Sequence, residues 1–428
     1  MQVSVESGEG FERRLIVELP AERIDAEVAK RLKQISRTAK LDGFRPGKVP
    51  MNMLRRHYGG QVLQEVYGQM IETSYKEAVR QEKLHPAGMP KIEPKEADED
   101  GLFSYVATFE VMPEIELAPL EGEIKRPVAA VGEQDIDEMI EKLRKQRATW
   151  DGVERAAEEG DQVRINFKGT VDGETFEGGS ADDVDLVLGS KRMIEGFESG
   201  LVGVVKAEKR TLDLEFPQDY HVEELAGKPV TFEVEANQVS EEVLPPVDDD
   251  FAKEFDAEEG VDKLKADIRE NMQRELIQRI QSRIKAQAMD LIYRMNKIDL
   301  PTVLMDEEVK ALRKQARERL GRSAGAFELP REMFEEQARR RVTLGLVIDE
   351  IIKQNDIRVD NDLVRRKVEE FAASYEQPEE VVKHYYASQQ QLATVQNVVL
   401  EDQVVDWVLD QADVSDEQTS FAALTEQG

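Results

Sequence analysis

The chain lacks several residue types and segments that particular classes of site require. It has no cysteine, which excludes disulfides, thiolate nucleophiles and thiolate metal sites and agrees with a reducing compartment. Its four histidines are scattered, so we expect no metal site and no cofactor. It has no run of the ~18 apolar residues that a membrane-spanning helix needs, and its first residues do not resemble a secretory signal. The expected location is therefore the cytoplasm.

Positive charge is scarce and is concentrated in one segment. The 428 residues carry 89 acidic and 58 basic side chains, which gives a net charge of -31. Residues 30–56 reverse this balance, because they contain nine lysines and arginines, with Asp42 as the sole acid. Such a local reversal predicts a docking surface for a polyanion, most simply RNA or an RNA–protein particle.

The basic segment contains a stiff loop, residues 43–50, with the sequence GFRPGKVP. Its two glycines permit backbone angles that other residues avoid, while its two prolines restrict the chain between them. Such a turn would hold Phe44 outward with Arg45 and Lys48, a combination suited to a contact with protein and RNA. The alternative is a connector between two helices whose phenylalanine packs into its own core. A nucleotide-binding P-loop is excluded, because the glycines are too close and valine stands where serine or threonine is needed.

Hydrophobic periodicity divides the chain into regions of different predicted secondary structure. Alternating apolar residues predict an N-terminal hairpin, followed by helices over 21–38 and 61–84 and a strand over 103–111. A charged helix over 134–148 precedes short β segments at 162–171, 185–188, 209–216 and 230–238. After residue 250 the chain is almost wholly helical and begins with a long amphipathic helix. We expect a multidomain α+β protein with an N-terminal α+β domain, a small β-rich α+β domain and an all-α C-terminal domain.

The loop resembles the signature of the trigger factor family of bacterial ribosome-associated chaperones, and the resemblance extends over essentially the whole chain. It implies docking on the large ribosomal subunit at the exit tunnel, against ribosomal protein and rRNA. It also implies an ATP-independent chaperone that shields apolar segments of nascent polypeptides, acts in folding, export and cell division, and dimerises when free. The implied ribosome-binding residues are Gly43, Phe44, Arg45, Pro46, Gly47 and Lys48.

The same resemblance assigns the domains. It implies a ribosome-binding domain over 1–112, a segment over 113–149 that packs with the C-terminal domain, an isomerase domain over 150–245 and a helical chaperone domain with arms over 246–413. Residues 414–428 are polar and acidic, and we expect them to form a disordered tail.

The middle domain carries five short motifs in a fixed order, VRINFKG, DGETFEGG, LGS, IEGFESGL and FPQDY. Together they resemble the FKBP-type peptidyl-prolyl isomerases. The resemblance implies a catalytic cup made of Phe167, Phe176, Met193, Ile194, Phe197, Tyr220 and Phe232. It also implies that Tyr220 can hydrogen-bond a substrate carbonyl and that Glu177 stands where the family often has aspartate. Two departures are Glu195 in place of the usual proline and the lack of a glycine just before the strand at 209.

These residue types suit the chemistry of prolyl isomerisation. The reaction crosses a barrier of ~18–20 kcal/mol that amide resonance creates, and it breaks no bond. An apolar cup that removes water from the amide favours the twisted, less dipolar transition state over the planar ground state. The alternative is that the aromatic residues form only the core of a small barrel.

The helical region leaves two interpretations open. Its helices, with apolar stripes and charged backs, would form either a closed bundle or a cradle with exposed apolar side chains. The candidates for contact with nascent chains are Met305, Phe334, Tyr385 and Tyr386. No ATP-binding motif is visible. Two competing functions are a free-standing isomerase on a dimerisation scaffold and an RNA-binding regulatory protein, although the basic surface is small for extended RNA.

Overall fold

The computed structural model describes residues 1–39, 41, 44, 49–95, 102–220, 222, 224–320, 329–373, 375 and 377–426. The chain forms two compact units. The first combines residues 1–126 with 282–416, and the second combines residues 127–281 with 417–428. Each unit therefore joins parts of the chain that are far apart in sequence.

The N-terminal part of the first unit is an α+β domain, as predicted. Its antiparallel sheet has the order β1-β2-β4-β3. The elements are β1 (Gln2–Ser7), β2 (Glu12–Pro20), α1 (Ala21–Ile35), α2 (Met51–Gln81), β3 (Lys91–Lys95) and β4 (Leu102–Glu110). The core contains Tyr105, whose hydroxyl lies 2.8 Å from the Ser74 hydroxyl. Helix α2 begins well before the predicted residue 61, because Leu54 is buried on the same side as Val62 and Val66.

The second unit contains the predicted β-rich domain. After β5 (Glu123–Val128) and α3 (Glu133–Gln146), the chain forms a five-stranded antiparallel sheet of order β6-β10-β7-β8, with β9 paired to β10. Its elements are β6 (Thr149–Val153), β7 (Gln162–Val171), β8 (Glu174–Val187), α4 (Phe197–Leu201), β9 (Lys209–Glu215) and β10 (Pro229–Val243). Strand β8 is longer than the predicted 185–188, because it continues the hairpin that turns at Asp172 and Gly173.

Two helices follow, α5 (Asp249–Lys253) and α6 (Val261–Met295), and α6 confirms the predicted long amphipathic helix. Within the second unit, its first half packs with α3 around Ile136. Within the first unit, its last turns pack around Ile124 of β5. Buried Asn296, just after α6, accepts a hydrogen bond from the Ala118 backbone at 3.0 Å. Both ends of the predicted 113–149 segment therefore pack against helices of the C-terminal region, while the exact domain boundaries stay a prediction.

The next five helices belong to the first unit. They are α7 (Thr302–Leu320), α8 (Glu332–Gln354), α9 (Asn361–Ala372), α10 (Pro378–Ala387) and α11 (Gln389–Gln411). Their apolar faces divide among three small cores, centred on Val347, Met305 and Val368. Within the described ranges, no helix is both long and apolar enough to span a bilayer.

The prediction of a disordered tail is wrong for residues 414–426. Strand β11 (Asp413–Gln418) pairs with β5, and helix α12 (Phe421–Glu426) follows it. Phe421 and Leu424 are 7% and 5% exposed and join the core around α3 and α6. The pairing of β11 and the burial of these two apolar side chains, one helical turn apart, together anchor a segment whose composition is otherwise polar.

Candidate functional site

A cleft of about 480 Å³ opens in the β-rich domain between the sheet and α4. Strands β7 and β10 supply its floor, β8 supplies one wall, and the loop before α4 supplies another. The residues that line the cleft are Phe167, Phe176, Gly178, Arg192, Met193, Ile194, Phe197, Phe216, Pro217, Tyr220 and Phe232. The lining is therefore mostly aromatic and aliphatic, as a site for an uncharged peptide group requires.

The aromatic rings of the cleft hold one another in place. Phe232 lies at the centre, with its ring centroid 5.1 Å from that of Phe197, 6.0 Å from Phe167 and 6.5 Å from Phe176, all edge to face. Phe197 and Phe232 are buried, whereas Phe167 and Phe176 are only partly buried. Edge-to-face pairs of this kind are favourable and directional, so the walls are formed before any substrate arrives.

Small residues make room for these rings. A Cβ atom on Gly169 would lie 2.5 Å from the Phe232 ring, and one on Gly179 would lie 2.8 Å from the Phe176 ring. Gly196, directly before α4, has a φ of +93°, which turns the chain so that Phe197 points into the domain. Gly169 and Gly179 therefore leave the space that the rings of the cleft occupy, and Gly196 permits the turn before α4.

A buried carboxylate supports the loop between β8 and α4. Glu198 is 8% exposed and accepts hydrogen bonds from the backbone N–H groups of residues 189 and 191–193 and from the Ser190 hydroxyl. Burial acts to raise the pKa of Glu198, but the hydrogen bonds from Lys191, Met193, Arg192 and Ser190 outweigh it and hold the pKa below its ordinary value.

The structure brings all seven residues predicted for the cup to one cleft. Glu177, the other predicted site residue of this domain, is exposed and is not among the lining residues. Sequence reasoning missed Gly178, Arg192, Phe216 and Pro217, although the last two stand in the FPQDY motif and could have been found there. Of the two departures, Glu195 is exposed, and Ala207 takes the missing glycine's place with a φ of +62°.

The docking loop is described only in part. Ala39 and Val49, on either side of it, are buried in the N-terminal core. Phe44 is 39% exposed, and its backbone N–H donates to the Leu41 carbonyl at 3.0 Å. Its role in docking stays a prediction. The other predicted ribosome-binding residues, Gly43, Arg45, Pro46, Gly47 and Lys48, lie outside the described residues.

Bases that flank the loop are partly neutralised. Lys30 pairs with Glu27 at 3.0 Å, Arg31 pairs with Glu65, and Arg55 lies 3.7 Å from Asp25. For Lys33, Arg37 and Arg56, the described part of the chain contains no ion-pair partner.

The prediction that Met305 stays exposed is wrong. It is 8% exposed and packs with Val309, Leu312 and Ala338 between α7 and α8. Helix α8 covers the apolar face of α7, which the sequence pattern alone does not reveal. Phe334 and Tyr385 are only partly buried, and Tyr386 is 48% exposed. Sequence reasoning missed other exposed apolar side chains of this region, among them Met333 at 67%, Tyr375 at 59% and Ile277 at 55%.

The fold and the cleft define a multidomain protein that carries a peptidyl-prolyl isomerase domain. Residues 153–237 match the family model described as "FKBP-type peptidyl-prolyl cis-trans isomerase". Residues 1–143 match "Bacterial trigger factor protein (TF)", and residues 260–410 match its C-terminal counterpart. The chain belongs to the trigger factor family, and it is a ribosome-associated chaperone with FKBP-type prolyl isomerase activity.

Individual relatives cover nearly the whole chain. The trigger factors of Pseudomonas fluorescens (strain SBW25) and Azotobacter vinelandii (strain DJ / ATCC BAA-1303) are each 48% identical over 423 residues, 98% of this chain and 97% of the relative. A solved structure described as "Promiscuous Substrate Recognition in Folding and Assembly Activities of the Trigger Factor Chaperone" has a TM-score of 0.50 at 20% identity. It covers 96% of this chain and 100% of that one, and it supports the fold.

Proposed function

We propose that X-Pro bonds isomerise in the aromatic cleft of the middle domain. The observation that carries this proposal is the convergence of the seven predicted cup side chains, from five separate segments of the domain, on one cleft of about 480 Å³. A barrel core alone would bury these side chains completely, yet Phe167, Phe176 and Ile194 each keep part of their surface exposed.

The cleft acts by enclosure. A substrate proline that enters it exchanges water for ring edges and for the Met193 and Ile194 side chains. A planar amide depends on solvation of its dipole more than a twisted amide does, so loss of water raises the ground state relative to the transition state. This account needs neither a nucleophile nor a proton donor, because no bond is broken.

A substitution at the cleft wall tests this proposal. Phe176→Ala removes a partly exposed ring, and we expect kcat/KM for a proline tetrapeptide to fall by about tenfold or more, since transition-state contacts are lost. Val205→Ala, at an exposed position of the same domain outside the cleft, is the matched control. Unchanged kcat/KM in a folded Phe176→Ala protein would contradict the proposal.

We also propose how the chain docks on the ribosome. Phe44, Arg45 and Lys48 contact ribosomal protein and rRNA at the exit tunnel, with Phe44 as the apolar anchor. The exposure of Phe44 and the buried positions of Ala39 and Val49 support this role, because they hold the loop's two ends in a rigid core. The net charge of -31 repels RNA elsewhere and so favours docking through this basic segment.

Co-sedimentation with 70S ribosomes tests the docking proposal. The parent should pellet, and Phe44→Ala/Arg45→Ala/Lys48→Ala should stay in the supernatant. A matched control, Lys91→Ala/Lys95→Ala, removes two positive charges from exposed positions on β3 of the same domain and should pellet like the parent. Equal pelleting of the loop variant and the parent would show that the loop is only a connector.

We propose further that the helical region binds unfolded chains. Phe334, Tyr385 and Tyr386 give weak, non-directional contacts to apolar segments of emerging chains in the cytoplasm. When the protein is free of the ribosome, a homodimer covers these surfaces and the basic loop. Sedimentation equilibrium should then show a dimer that excess ribosomes dissociate, and a monomer at all concentrations would refute this part.

A further inference from the structure

The loop between β8 and α4 has an irregular backbone, in which the Ser190 N–H donates to the Val187 carbonyl at 3.2 Å while its neighbours need acceptors from outside the sheet. It leaves β8 at Val187 and reaches α4 at Phe197. Gly189 and Lys191 have φ values of +91° and +56°, so the N–H groups of residues 189 and 191–193 turn toward a common point instead of along a ladder. A buried N–H group without an acceptor is costly, so this loop needs an acceptor from elsewhere in the domain.

Glu198 provides that acceptor with both carboxylate oxygens. Oε1 accepts from the N–H groups of Arg192 at 2.8 Å and Met193 at 3.2 Å, and from the Ser190 hydroxyl at 3.1 Å. Oε2 accepts from the N–H groups of Gly189 and Lys191, both at 2.9 Å. One side chain of the first turn of α4 therefore fixes every residue from Gly189 to Met193.

The fixed segment leads directly into the cleft. Arg192, Met193 and Ile194 are lining residues, and Phe197 stands next to Glu198 on α4. Glu198 does not itself line the cleft, so it reaches the substrate only through these neighbours. A shift of the loop would therefore displace the wall that Met193 and Ile194 form.

We propose that Glu198 is a positioning residue for prolyl isomerisation, whose carboxylate holds the Gly189–Met193 loop in the conformation that presents Met193 and Ile194 to the substrate. This inference rests on the proposal that the cleft is the site of isomerisation. It assigns to Glu198 a role in the activity as well as in the stability of the domain.

The decisive variant is Glu198→Gln in the full chain. Either orientation of the amide places an NH2 group against two backbone N–H donors, so half of the loop loses its acceptor. We expect kcat/KM for a proline tetrapeptide to fall by about tenfold, because small misplacements of a site cost one to two orders of magnitude. Hydrogen exchange of the amides of residues 189–193 should be faster than in the parent.

Two further variants separate positioning from stability. Ile165→Val trims a fully buried core side chain of β7, so it lowers the stability of the same domain and should leave kcat/KM unchanged. Glu198→Asp keeps the charge and both oxygens but withdraws them by one methylene group. This variant should fold, and the amides of its loop should exchange faster than in the parent. Its kcat/KM should be about threefold below that of the parent, and so above that of Glu198→Gln.

Parent-level kcat/KM in either folded Glu198 variant would overturn the inference, and so would an equal loss in Ile165→Val. If Glu198→Gln does not fold, Glu198→Asp decides alone. Phe176→Ala in the same assay distinguishes a failure of the cleft proposal from a failure of the role given to Glu198. Parent-level activity of Phe176→Ala refutes the cleft itself, whereas its loss of activity beside an active Glu198 variant refutes only the role of Glu198.

Discussion

The isomerase domain and the helical region use apolar side chains in opposite ways. In the cleft, the rings from Phe167 to Phe232 converge, and neighbouring centroids lie 4.7 to 6.5 Å apart. In helices α7 to α11, the apolar faces divide among three separate cores, and exposed side chains such as Met333, Tyr375 and Tyr386 stand on separate elements.

The difference follows from what each region has to recognise. One kind of bond, the X-Pro amide, is served by a rigid enclosure whose walls are complementary to one transition state. Unfolded segments have no common shape, so dispersed apolar contacts that act by exclusion of water suit them better. Substitutions of the cleft rings should therefore reduce isomerase activity and spare chaperone activity. Substitutions of exposed apolar side chains on the helices should have the opposite effect.

The largest effect is expected for Phe232→Ala. Its side chain is 5% exposed and contacts three other rings, so its loss should cost about 3–5 kcal/mol of domain stability and abolish isomerase activity. Chemical denaturation, followed by a probe in the β-rich domain, measures the loss. A change below about 1 kcal/mol would contradict the central place given to this ring.

A smaller loss is expected in the helical region for Met305→Ala. The side chain fills a small core between α7 and α8, so its removal should cost about 2–3 kcal/mol there while kcat/KM for isomerisation stays at the parent value. Met333→Ala is the matched control, and at 67% exposure it should change stability by less than about 0.5 kcal/mol. Equal effects of the two substitutions would mean that Met305 is not buried in solution.

A gain of one methyl group should also harm the cleft. In Gly169→Ala the new Cβ would lie 2.5 Å from the Phe232 ring, so the ring must shift, at a cost of about 1–2 kcal/mol and with reduced kcat/KM. Gly60→Ala in α2 meets no atom within 4 Å and should stabilise that helix by about 0.5–1 kcal/mol. A stabilised Gly169→Ala domain would refute the close packing.

Acid should weaken the isomerase domain through its buried carboxylates. Their hydrogen bonds hold the pKa of Glu198 below its ordinary value of 4.5, and the pairing with Arg155 helps to hold the pKa of Asp161 below 3.8 against the opposing effect of burial. A lowered pKa contributes stability above the ordinary value and loses it as the pH falls through the lowered one. The unfolding free energy should therefore decline below about pH 4.5, and less steeply in Glu198→Gln than in the parent.

The smallest effect is expected for Ala207→Gly. Ala207 has a φ of +62°, which is unfavourable for any residue with a Cβ, and glycine relieves the strain at some entropic cost. The net result should be a stabilisation of about 0.5 kcal/mol, visible as a higher Tm, with unchanged kcat/KM. A lower Tm would show that the backbone is not strained there.

The sequence was most informative where residues act through local geometry. The strands and turns of the middle domain follow from alternation and from glycine motifs. All seven predicted cup residues line the cleft, because each motif places its side chain on a strand, in a loop or at the start of a helix. Glu177 does not line the cleft, because it follows Phe176 on β8 and successive side chains of a strand point to opposite faces.

Properties that depend on distant partners could not be predicted in this way. An amphipathic pattern shows which face of α7 is apolar, but only the fold shows that α8 covers Met305. Composition predicted a disordered tail, because two buried residues, Phe421 and Leu424, weigh little against many polar ones. The five hydrogen bonds to Glu198 were equally invisible, since their donors are mostly backbone groups.

The most direct test measures isomerase activity and chaperone activity on the same preparations. It asks whether the enclosed cleft and the dispersed apolar contacts of the helices serve separate activities. Isomerisation of a proline tetrapeptide and suppression of aggregation of an unfolded, proline-independent client would be compared for the parent, Phe176→Ala and Phe334→Ala/Tyr385→Ala/Tyr386→Ala. The account predicts that Phe176→Ala loses isomerase activity alone and that the triple variant loses aggregation suppression alone. Loss of both activities in either folded variant would contradict it.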